Sequence, residues 1–117
     1  MATSGVTIYH NPRCSKSRKT LALLQEHGIE PTVVEYLKNP PDKRELGIIT
    51  RKLGVKPEKI VRRGEDSFKQ KFAGKSLNDD EWLEALAEYP ILIERPIVVK
   101  GDQAVIGRPP ENVLDLV

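Results

Sequence analysis

The stretch VTIYHNPRCSKSRKTLALLQEHGIEPTVVEY, residues 6–36, decides how the rest of the chain is read. Val6 to Tyr9 are β-branched or aromatic and predict a first strand, which Asn11 and Pro12 break. From Ser15 to His27 the leucines Leu21 and Leu24, with Ala22 or Leu23, recur at helical spacing, and Gly28 predicts the stop. Thr32 to Tyr36 predicts a second strand. A strand–helix–strand opening favours a parallel pair joined by a right-handed crossover.

Beyond Tyr36 the segment KNPP ends the second strand, and Asp42 caps a predicted helix running to Leu53 and Gly54. Short helices are expected near Pro57–Val61 and Ser67–Phe72. A longer one starts at Asn78 and carries Trp82, Ala85, Leu86 and Tyr89 along one side. Ile97 to Val99 and Ala104 to Ile106 flank a Gly101–Asp102 turn as a hairpin. Pro109 and Pro110 lead into an expected terminal helix, ENVLDLV. The pattern predicts one α/β domain over residues 1–117. Its expected architecture is a thioredoxin-like mixed four-stranded sheet flanked by helices, with an inserted helical region at about residues 42–89.

Nineteen basic and 17 acidic side chains leave a net charge of +2. That balance gives no ground for a nucleic-acid surface, so a basic site would have to arise by local clustering. No stretch approaches the roughly 18 consecutive apolar residues of a membrane span. The single cysteine, Cys14, cannot close an internal disulfide, which fits a reducing compartment. A cytoplasmic protein, expected as a monomer, is the reading.

Cys14 falls where the first helix begins. Free backbone N–H groups and the positive end of the helix dipole favour an anion there, and nearby cations lower a thiol's pKa. Arg13, Lys16 and Arg18 are expected to add positive charge, Ser15 and Ser17 to offer hydroxyl donors, and His10 to help hold the loop or the charge. A small apolar filler is a poor description of a cysteine with such neighbours. One cysteine and two distant histidines fall short of a zinc site, so no metal is expected. A C-x5-R anion cradle would need arginine where the chain has Thr20. Elsewhere His27 reads as a partner for the end of its helix, and Trp82 and Tyr89 read as core.

Three further segments set arginine beside backbone punctuation: VRRG (Arg62, Arg63), IERPIVV (Arg95) and IGRPP (Arg108). Guanidinium groups grip tetrahedral oxyanions or carboxylates through paired N–H donors, so a thiolate with several arginines suggests an anionic substrate. In a thioredoxin-like layout Pro96 would be a cis proline facing the thiol.

YHNPRCSKSR, EYLKNPP, ILIERPIVV and IGRPPENVLDL together closely resemble the glutaredoxin-coupled arsenate reductase family, in order and over nearly the whole chain. The short end resembles a chromosomal-type branch. The resemblance implies that the Cys14 thiolate attacks arsenate to form a covalent adduct. Glutathione, as co-substrate, then attacks the arsenic, and glutaredoxin reduces the product to release arsenite. No bound cofactor is implied. By position Arg62, Arg95 and Arg108 match the family's oxyanion-binding arginines, with Arg63 adjoining the first, and His10 matches a histidine that tunes the nucleophile. Two alternatives share the fold: a glutathione-dependent thiol reductase of other substrate, and an RNA-polymerase-binding regulator. The regulators use a C-x-x-C pair, and Ser17 occupies its second position. With no second cysteine, an external thiol has to resolve Cys14.

Overall fold

The computed structural model describes residues 5–116, and the chain gathers into two compact units. One comprises the chain up to Asn39 and from Arg95 onward; the other is Pro40–Glu94. The first unit holds β1 (Val6–His10), α1 (Ser15–Glu26), β2 (Thr32–Glu35), β3 (Ile97–Lys100) and β4 (Gln103–Ile106). The strands form one sheet in the order β2-β1-β3-β4. β1 and β2 are parallel, with His10 opposite Glu35, and β3 runs antiparallel to β1, with Ile97 opposite Tyr9. This is the thioredoxin-like mixed sheet with flanking helices.

Alternation builds the core of this unit. Val6, Ile8 and His10 are buried while Thr7 and Tyr9 are half-buried, as a strand's period of two requires. Val6, Ile8, Leu24, Val98, Val113 and Leu116 close into one apolar cluster, with Leu21, Leu23, Ile29 and Val105 packed against it. α1 ends in a Schellman motif. Gly28 takes φ 76°, its N–H donates to Gln25 O, and the Ile29 N–H reaches back to Leu24 O, each at 3.0 Å. His27 Nδ1 donates to Leu23 O at 3.0 Å and helps close the same turn.

The expected terminal helix is replaced by a 3-10 segment, Pro110–Asp115, and Val117 lies outside the described residues. Its bonds are three residues long, as in Asn112 N to Pro109 O. Two prolines lack N–H groups at its start. The Asn112 amide donates instead to the Ile106 and Arg108 carbonyls, which favours the tighter turn. Pro57–Ile60, expected as a short helix, is likewise 3-10.

The second unit holds α2 (Lys43–Leu53), α3 (Asp66–Lys71) and α4 (Asp79–Glu88). Asp42 caps α2 by accepting the Glu45 N–H at 2.8 Å. At α4, Asn78 and Glu81 exchange side-chain-to-backbone bonds in a capping box. The core expectation for Trp82 holds. The residue is buried and stacks on Phe68 with centroids 6.2 Å apart, while Phe72 tilts against it at 5.9 Å and meets Tyr89 edge-on at 5.8 Å. Replacing Trp82 by Ala should therefore lower stability by about 3–5 kcal/mol, read by denaturant unfolding. A loss below about 1 kcal/mol would mean that the aromatic cluster does not hold this unit together.

Candidate active site around Cys14

Cys14 is the N-cap of α1. Its backbone is extended, at φ −94° and ψ 123°, its N–H donates to Asn11 O, and its carbonyl accepts the Arg18 N–H, both at 3.0 Å. Such a residue turns its side chain toward the N–H groups of the helix's second and third residues, here Lys16 and Ser17. The neutral thiol closes no capping bond of its own. A thiolate would be favoured strongly at the same spot. Burial pushes the half-buried thiol up, but the Ser17 N–H, the Arg95 guanidinium and the Lys16 N–H outweigh it. Together with the Arg95 charge they hold Cys14 below the ordinary thiol value.

The source of that charge differs from the sequence expectation. Arg13 and Arg18 are exposed and not among the groups that lower the Cys14 pKa, and Lys16 acts through its backbone N–H rather than its ammonium. Arg18 Nη1 instead donates to Pro12 O at 2.9 Å and ties the loop to the helix. The acting cation, Arg95, arrives from the residue pair that leads into β3. Its bond to Pro96 is cis, as is Arg108–Pro109.

The serines separate. Ser15 is exposed, whereas Ser17 is fully buried and central. Ser17 Oγ accepts the Asn11 N–H at 3.0 Å and lies 2.6 Å from His10 Nδ1. A neutral imidazole with its proton on Nε2 accepts the Ser17 hydroxyl; a protonated one would donate in the opposite sense. Burial is the main influence on His10 and holds it below the ordinary imidazole value, with Glu35 opposing and Arg18 reinforcing, so the neutral form prevails near pH 7. Asn11 is buried too, and its Oδ1 accepts the Arg13 N–H at 3.0 Å, an Asx turn that shapes the loop.

Arg108 follows β4 with its side chain half-buried and its carbonyl held by Asn112. Before it, Gly107 donates its N–H to Pro96 O at 2.9 Å. A Cβ at Gly107 would lie 2.7 Å from Thr20 Oγ1 and 2.9 Å from Pro96 Cγ, so only glycine fits. Arg62 belongs to the second unit. Its N–H donates to Leu92 O at 2.7 Å, and its guanidinium is shared between Glu94 (3.3 Å) and Glu65 (3.5 Å). Arg63 is exposed and lies over the Phe68 ring at 5.3 Å. Among the described residues no group of three or more His, Cys, Asp or Glu could hold a metal ion.

Residues 9–116 match the ArsC family. The chain belongs to that family. An arsenate reductase of Haemophilus influenzae (strain KW20) is 47% identical over 118 residues, covering 95% of this chain and 97% of its own. The uncharacterized protein YfgD of Escherichia coli K12 is 48% identical over 117 residues, covering 98% of each chain. An arsenate reductase from Vibrio cholerae superposes with a TM-score of 0.95 at 47% identity, over 99% of this chain and 100% of that one. As an ArsC-family chain it shares the thioredoxin-like fold of these reductases. No helix among its described residues is long and apolar enough to cross a membrane.

Two residues of this site escaped the sequence reading as contributors: Tyr36, taken simply as the end of a strand, and Gly107. Replacing Gly107 by Ala should cost about 1–3 kcal/mol in thermal or denaturant unfolding, because both neighbours must give way. The lowered pKa values also set a pH dependence. For Cys14 the favoured form is the thiolate, so its contribution to stability is complete above the unfolded thiol pKa of about 8.5 and is lost as pH falls through the folded value. For His10 the favoured form is neutral, so its contribution is complete above about pH 6.5 and is lost on further acidification. Stability of the protein minus that of the Cys14→Ser variant should therefore rise with pH up to about 8.5, as read by urea midpoints. A flat difference would contradict the thiolate assignment.

Proposed function

We propose that the chain is an arsenate reductase in which Cys14 is the nucleophile and glutathione and glutaredoxin supply the electrons. The reading is carried by one observation: a lone thiol at a helix N-terminus, held below its ordinary pKa by two backbone N–H groups and Arg95. The arsenate reductases to which the chain is 47% identical support arsenate as the substrate of that thiol.

Arsenate is an anion, and a bare thiolate would be repelled by it. Arg95 and Arg108 offset the charge and bind the oxygens, and they stabilise charge as it builds on the oxyanion. In the first step the Cys14 sulfur forms a bond to As(V) as an arsenate oxygen departs, protonated, as water. Glutathione then bonds to the arsenic as a second oxygen departs, protonated, as water. A second thiol, delivered by glutaredoxin, attacks the glutathione sulfur. The electron pair of the arsenic–sulfur bond stays on arsenic, which becomes As(III), and the two thiols leave as a disulfide. Water releases arsenite and returns the Cys14 thiolate. The sum is one arsenate and two thiols giving one arsenite, one disulfide and one water. An external thiol is needed because Cys14 has no partner cysteine in the chain. The same reading places the protein in the cytoplasm, where thiols stay reduced.

Cys14→Ser should abolish arsenite formation in an assay supplied with arsenate, glutathione and glutaredoxin, and omitting either thiol component should stop turnover in the unaltered protein. Arg95→Ala and Arg108→Ala should each lower kcat/KM for arsenate by roughly 10²–10³-fold. Arg44→Ala, on the exposed side of α2, should leave it unchanged. Full activity without Cys14 would sink the proposal, and equal losses for Arg44 and Arg95 would remove the anion-site assignment. Capture of RNA polymerase without arsenate turnover would favour the regulator instead.

A further inference from the structure

Tyr36 has no role in the chemistry above, yet the sheet brings it to the same end as the nucleophile. It follows the last residue of β2, and the pairing of Glu35 with His10 sets it level with Asn11, where the chain leaves β1 for the Cys14 loop. Arg95 stands on the other side of β1. Ile97 pairs with Tyr9, so Pro96 and Arg95 run past the same end of β1 from the opposite flank. Strands two places apart in a sheet are about 10 Å from each other, a gap that a tyrosine and an arginine side chain can close between them.

Tyr36 is fully buried, at 0% exposure, and its phenol oxygen is close enough to the Arg95 guanidinium to act on it electrostatically. That same guanidinium donates to the Cys14 sulfur. Five N–H donors in a rigid planar fork allow both contacts at once. An arginine side chain is otherwise free to adopt many rotamers, and a sulfur anion is stabilised by a donor only when the donor is aimed at it. We propose that Tyr36 is a positioning residue, whose buried phenol oxygen fixes one part of the Arg95 guanidinium so that another part faces the Cys14 sulfur. The inference rests on Cys14 being the working nucleophile of the proposed function, but it concerns the thiolate rather than arsenate.

Tyr36→Phe removes one oxygen and keeps the ring that fills the buried space. Ultraviolet titration of the thiolate, without arsenate, should show the Cys14 pKa raised in this variant, and alkylation by iodoacetamide at pH 6–7 should slow by about three- to tenfold. The melting temperature, read in parallel, separates this from unfolding. In an Arg95→Ala background the same substitution should change the Cys14 titration no further, because Tyr36 acts through Arg95. An unshifted titration in folded Tyr36→Phe overturns the inference, as does a shift of equal size without Arg95. Failure of the unaltered protein to reduce arsenate would count against the proposed function alone, since the titration does not use that substrate.

Discussion

A negative charge on the Cys14 sulfur is what the first unit is arranged to hold. Partial burial works against that charge, so the surroundings must more than compensate. Part of the compensation is local: the chain turns out of β1 through an Asx turn and begins α1 with two N–H groups facing the sulfur. The rest is distant in sequence, 81 residues on at Arg95, and depends on β3 lying beside β1. The fold and the chemistry are therefore one problem. A sheet in any other order would leave the helix terminus intact and the thiol without its cation.

That division also explains what could be read in the sequence. Features set by neighbours along the chain were legible: β1, the glycine that ends α1, the Asp42 and Asn78 caps, and the thiol at a helix start all follow from short-range stereochemistry. The terminal segment was misjudged because its amphipathic pattern suits a helix, while paired prolines and the Asn112 amide favour a tighter turn. Charge at the site was misjudged for another reason. Arg13, Lys16 and Arg18 are close in sequence, but a helix start splays such side chains into solvent, and the cation that reaches the sulfur comes across the sheet. Tyr36 was invisible because nothing in TVVEY says which ring will be buried beside a guanidinium.

Ser17 shows how one position can carry two duties. Its backbone N–H serves the sulfur, while its side chain links Asn11 to His10 and so braces the loop from beneath. The position that would make a dithiol pair with Cys14 is thus filled by a residue already committed on both its main chain and its side chain. Arg62 presents the opposite situation, with its charge shared by Glu65 and Glu94, so any anion it takes up must compete with two carboxylates already in place.

Gly107 has a meaning beyond its own conformation. The Gly107 backbone fits between the Thr20 and Pro96 side chains with no room for a methyl group, so a residue of α1 and the residue leading into β3 both pack on bare backbone. Side chains at such a junction act as cushions that let two elements slide by fractions of an ångström. Gly107 has no side chain to act as one. The carrier of the thiol and the carrier of its cation thus share one support, and a side chain added at Gly107 would push against both of them.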